Sequence, residues 1–278
     1  MINAYILSTT TFVYGLAVVA YVAAWAFENR FAGKAATIIT WGAVAANLAG
    51  ILVRWFESHQ MGHGYVPLSN LYESLVFFSF AIGVVYLMIE RRFRTQAFGA
   101  GAILLAFIAL AYASLSPEVE HQIQPLIPAL QSNWLTAHVI TCFLGYAAFA
   151  IAFAVSVVYL IKHGETAAKP VRPSAFFPPA ETLDELIHQT VVFGFFFLSV
   201  GIITGAVWAN TAWGRYWGWD PKETWSLITW FIYAAMLHVR LMRGWQSKRI
   251  AWFAIAGFAA VLFTYFGVNL LPGLHSYQ

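Results

Sequence analysis

Charge is scarce in this sequence. Only 10% of its 278 residues are Asp, Glu, Lys or Arg. Soluble proteins usually approach about a quarter, so an ordinary water-soluble domain is excluded. Cysteine is rarer still. The one cysteine, Cys142, sits inside an apolar run, which leaves neither a disulfide framework nor a cysteine-based metal site. A Cys-x-x-Cys-His motif is missing, so the chain does not itself bear covalently attached haem. The N-terminus, MINAYILSTTTF, lacks the basic segment of a secretory signal and reads as a first spanning helix. A net charge of +3 is no footprint for nucleic acid, because the basic residues are confined to short loops.

What is abundant is apolar length. Hydrophobic residues make up 60% of the chain and recur in eight runs: 4–26, 36–56, 70–89, 97–115, 135–161, 186–209, 225–242 and 250–270. About 20 such residues cross a hydrocarbon core. The expected fold is an all-α polytopic membrane protein, a single domain over 1–278 with eight transmembrane helices. Alternate connections carry 12 of the 15 Lys and Arg, from Arg30 and Lys34 to Lys248 and Arg249. Basic loops stay in the cytoplasm, so both termini are expected outside. The proline-containing stretch 162–185 is then a cytoplasmic linker.

Six of the chain's 12 tryptophans fall between Trp208 and Trp230. The middle of that stretch, Trp213 to Glu223, is rich in Gly and charge, so it belongs at a membrane surface between two spans. A tryptophan-rich loop over 208–225, facing outward, is the expectation. Asp220-Pro221-Lys222-Glu223 reads as a helix start: an Asp N-cap, Pro at the first helical position, and Glu placed to close a capping box. A flat aromatic surface there suits lipid headgroups or a large planar ligand.

Few polar residues enter the spans. Glu73 at the start of the third is costly unless it is paired, faces a cavity or sits in the favourable field of a helix start. Arg54, near the outer end of the second, either snorkels or pairs with a ligand carboxylate. His138 lies about one turn inside the fifth span. His238 is 13 residues, about 20 Å, beyond Trp225, which places it in the inner half of the bilayer. His275 follows the Pro272-Gly273 break and emerges on the outer face. His59, His63, His163 and His188 read as solvated or structural.

Histidine pairs are common axial ligands to haem iron, and indole faces offer a platform for the macrocycle. His138 and His275 reach the face that bears the tryptophans. Arg54, Arg215 and Lys222 are the only basic residues on that side, where haem propionates would need partners. The plainer reading of each histidine alone is a hydrogen-bonded interface residue. These residues by themselves reach a membrane protein with an outward aromatic and histidine site.

Trp213-Gly214 followed by Trp217-Gly218-Trp219-Asp220-Pro221-Lys222-Glu223-Thr224-Trp225 resembles the tryptophan-rich WWD signature of haem-handling membrane proteins. PLSNLYES, LQSNWLTAHV, LITWFIYAAMLHVR and GVNLLPGLHSY are similar to flanking segments of the CcsA/ResC branch of cytochrome c biogenesis. The resemblance covers roughly 65–278 and implies that haem b passes from the cytoplasmic side to an outward site. There it would be joined by thioether bonds to the CxxCH cysteines of apocytochrome c, in a haem lyase completed by a CcsB/ResB-type partner. A thioredoxin-like thiol reductant is a further implied partner. On this resemblance His138 and His275 ligate the outer haem. The loop with Trp213, Trp217, Trp219, Asp220 and Trp225 holds its plane, and His238 binds haem in transit with a second ligand from the partner. No convincing general acid is present, since an N-cap role explains Asp220 better. Competing readings are a CcmC-type haem transporter without ligation activity, a b-type electron carrier and a structural subunit with an aromatic belt. The membrane is a bacterial cell membrane or a thylakoid.

Overall fold

A computed structural model describes residues 2–163 and 176–271. His275 and half of the expected linker 162–185 lie outside the described residues. The elements are α1 Ile2–Ala26, α2 Arg30–Gln60, α3 Leu71–Phe93, α4 Gly99–Leu115, α5 Asn133–His163, α6 Ala180–Trp213, α7 Pro221–Arg243 and α8 Lys248–Tyr265. Single 3-10 turns occur at Pro128–Leu130 and Gly267–Leu270, and no strand occurs among the described residues. Seven of the helices are long and apolar enough to cross a membrane, and α4 is a shorter apolar helix of 17 residues. The chain is an all-α, multi-pass membrane protein.

Two helices run well past their apolar windows. α2 spans 31 residues and α6 spans 34. At about 1.5 Å per residue α6 is about 51 Å long, against about 30 Å of hydrocarbon. Hydropathy marks only the part that lipid must solvate. The ends are set by hydrogen bonding: the Asn29 side chain accepts from Phe31 N and Ala32 N to start α2, and Gly214 at φ 73 closes α6. A left-handed residue just past a helix is the usual glycine stop.

The chain divides into two compact units, Met1–Gln131 with Pro173–Pro178, and Ser132–Arg172 with Pro179–Gln278. In the first, α1 packs on α2 and α4, and α3 closes the bundle against α4 and α2. Its core contains a buried ion pair. Arg54, only 2% exposed, donates from Nε to Glu73 Oε1 at 2.9 Å and from Nη1 to His121 O at 2.8 Å, over the face of Tyr72. Glu73 also accepts from Ser69 N and Ser69 Oγ in the first turn of α3, where Asn70 is the N-cap. Both conditions expected for Glu73, a partner and a helix start, are met together. Arg54 does not snorkel: its charge is committed to Glu73 and to the loop after α4.

In the second unit α5 lies along α6, α8 packs on α5 and α7, and α7 also meets α6. Asp184 on α6 forms an ion pair with Arg240 of α7 at 2.7 Å and accepts from Ser247 N at 2.7 Å. This ties the α7–α8 turn to the start of α6.

Candidate functional site

His138 is seated where α5 crosses α6. Its Nδ1 lies 2.8 Å from the carbonyl oxygen of Gly201. A carbonyl only accepts, so Nδ1 carries a proton, and in the neutral ring Nε2 keeps its lone pair. Nε2 has no hydrogen-bond partner among the described residues. A β-carbon at Gly205 would fall 2.6 Å from His138 Nδ1, and one at Gly201 would fall 2.6 Å from Cys142 Sγ. Both glycines therefore leave room for α5 side chains. Trp208, buried one turn further along α6, stacks on the imidazole with ring centres 6.1 Å apart and planes 14° from parallel.

The tryptophans are less loop-borne and less flat than expected. α6 continues through Trp213 and α7 starts at Pro221, so Trp208 and Trp213 are helical and only Gly214–Asp220 connects the two helices. Trp213 meets Trp208 at 62°, and Trp217 meets Trp219 at 87° with centres 5.7 Å apart. Edge-to-face pairs of this kind follow the ring quadrupole. They make a corrugated wall rather than one shelf. Trp225, one turn into α7, packs on Phe263 of α8.

Asp220 caps α7 as the sequence suggested, with its side chain accepting from Lys222 N and the capping box to Glu223 closed. Glu223 does more than close that box. Its Oε2 accepts from Gly218 N at 2.7 Å and from Asp220 N at 3.1 Å, one amide on each side of Trp219. Between those two bonds Trp219 stands at φ 57, a conformation that side-chain-bearing residues rarely take, and 69% exposed. Arg215 is exposed, with its guanidinium folded over Gly218. Lys222 lies within electrostatic reach of both His138 and Cys142.

His238 stands apart from this cluster. It is exposed on α7, in a stripe with Ile228, Phe231 and Met242. It has no hydrogen-bond partner among the described residues. Arg54 belongs to the other unit. Of the expected site residues, the structure groups His138, Trp208, Trp213, Trp217, Trp219 and Asp220 in one unit with Arg215 and Trp225. Gly201, Gly205 and Glu223 were not singled out for site roles in the sequence. The four-residue spacing of the two glycines, on a helix facing α5, was the available signal.

The donor set suits haem as a substrate: a neutral imidazole with a free Nε2, indoles beside it, and Lys222 and Arg215 at the same end of the unit. The family model for cytochrome c assembly proteins matches residues 68–275. Cytochrome c biogenesis protein CcsA of Synechococcus sp. (strain RCC307) is 38% identical over 283 residues, covering 91% of this chain and 88% of that protein. CcsA of Guillardia theta is 42% identical, covering 81% of this chain and 79% of that protein. The Pyropia yezoensis CcsA is 39% identical, with 97% of this chain and 96% of that protein covered. Among solved structures, cytochrome c haem lyase CcmF superposes with a TM-score of 0.70 at 18% identity. That match covers 96% of this chain but 49% of the CcmF chain, and it shows a shared fold.

Proposed function

The chain belongs to the cytochrome c assembly protein family, and on that premise we propose that it delivers haem b to a non-cytoplasmic site. There it presents the haem for thioether attachment to apocytochrome c. The observation that carries this reading is His138, whose Nδ1–H is spent on Gly201 O and whose ring stacks with Trp208. His275 is the proposed second axial ligand of that haem.

Haem, when bound, supplies the vinyl groups that the cysteine thiols attack, and the thiolate is the nucleophile. What this chain contributes is placement. His138 orients the iron, the tryptophans of 208–225 limit the tilt of the macrocycle, and Arg215 and Lys222 are the nearby cations for its carboxylates. No acid is assigned, because Asp220 is occupied as the α7 cap. Holding two reactants in register converts a bimolecular encounter into an effectively unimolecular one, so catalysis here rests on positioning.

His238 is proposed as a transit ligand whose partner imidazole comes from a CcsB/ResB-type subunit. His188, the nearest candidate within the chain, sits one turn from Asp184, which pairs with Arg240. Arg240 and His238 are two residues apart, about 200° around the helix. His188 is therefore placed on the side of α7 away from His238.

The test is the haem spectrum of the chain purified with its partner, beside His138→Ala, His275→Ala and His238→Ala. The first two are expected to lose the same ligand-field signature and covalent cytochrome formation, and the third to lose a different haem population. Wild-type spectra in both His138→Ala and His275→Ala would remove the reading.

A further inference from the structure

The seat of His138 has a consequence beyond naming it as a ligand, and it rests on the proposed function. We propose that α6 selects the haem-ligating form of His138. The Gly201 carbonyl holds the Nδ1 proton, and the absent side chain of Gly205 gives the ring the space to reach that carbonyl. Gly201 and Gly205 are positioning residues, acting on haem through His138 alone.

A neutral imidazole carries one proton on either nitrogen, and the hydrogen bond made by one decides which is free. A histidine ligand usually gives its other N–H to a carbonyl or carboxylate, which fixes the ring and raises its basicity. Here the bond is 2.8 Å and comes from 63 residues along the chain. The ring is also confined. Trp208 stacks near it, and Cys142 Sγ lies 3.6 Å from the same Nδ1. A methyl group at 205 would stand 2.6 Å from Nδ1 and 2.7 Å from Cε1, closer than real contacts permit. The ring must then swing away, breaking its bond to Gly201 O and re-aiming Nε2. At 201 an added methyl would stand 2.6 Å from Cys142 Sγ and 3.2 Å from Cys142 N, so it would press on the α5 backbone and carry His138 away from the carbonyl.

Two readouts test this on the full chain. In the haem-free protein, 15N-histidine NMR, assigned by difference from His138→Ala, is expected to show His138 protonated at Nδ1. That signature should be lost in Gly205→Ala. With ferric haem b added, Gly205→Ala is expected to retain haem about 10-fold or more weakly than wild type, the scale seen when a ligand's supporting hydrogen bond is lost. Gly201→Ala should weaken retention likewise. A thermal-unfolding cycle separates ring contact from general damage: Gly205→Ala should lower Tm in wild type but far less in His138→Ala. An Nε2-protonated His138, an unchanged tautomer in Gly205→Ala or additive Tm effects would each overturn the proposal. If His138→Ala keeps the wild-type haem spectrum, the ligand reading fails, while the NMR and unfolding results still decide whether α6 sets the ring.

Discussion

Trp219 shows how one residue can be held in a conformation it does not prefer. Its φ of 57 places a bulky side chain in the left-handed region, at a cost of about 1–2 kcal/mol. The strain persists because Glu223 receives the amides of both chain neighbours, Gly218 and Asp220, so the backbone cannot turn back without losing a bond. Such strain collects at functional positions, and the result is an indole held out from the α6–α7 turn. Trp219→Gly is therefore expected to stabilise the fold by up to about 1 kcal/mol through relief of strain while weakening haem retention, measured by thermal unfolding and haem titration. A destabilised Trp219→Gly would mean that the ring is core packing. Glu223→Ala should move both quantities downward. It leaves two amides without their acceptor, at about 1–3 kcal/mol for each that stays buried, and it frees the Trp219 backbone.

At the scale of elements, the pair between α2 and α3 sets what the first unit tolerates. Arg54 and Glu73 are almost completely buried, with side chains 2% and 0% exposed, and Arg54 also holds the loop after α4 through His121 O. Removing one partner leaves an uncompensated charge out of water, which costs about 3–5 kcal/mol. Arg54→Ala is expected to fall in that range by thermal unfolding in detergent. Arg54→Met combined with Glu73→Leu is expected to recover most of the loss, since no lone charge remains. If the double variant were as unstable as Arg54→Ala, the pair's value would lie in its bonds to the loop rather than in charge compensation.

At the scale of the whole molecule, α7 presents an apolar stripe with one imidazole in it. His238 is exposed among Ile228, Phe231 and Met242, and an ionisable side chain within a helix apolar enough to span a membrane marks a functional position by default. The chain purified alone is expected to show no bis-histidine haem that depends on His238. Copurified with a CcsB/ResB-type partner, it should gain one that His238→Ala abolishes. Bis-histidine haem in the isolated chain, lost on replacing His238 and His188, would place both ligands within this protein.

Composition and local pattern were enough for the membrane class, the eight apolar segments and the cap at Asp220. Those features depend on how a segment partitions between water and lipid, or on bonds between residues two or three apart. Only the tertiary structure decided that Arg54 would meet Glu73 rather than water, 19 residues away, and that His138 would give its proton to Gly201, 63 residues away. Which face of one helix meets which face of another depends on packing around the whole bundle, and no short window of sequence contains that information. The tryptophan cluster was legible as a density of residues, but the stance of Trp219 was not, because it depends on Glu223 of α7 accepting from the amides on either side of it.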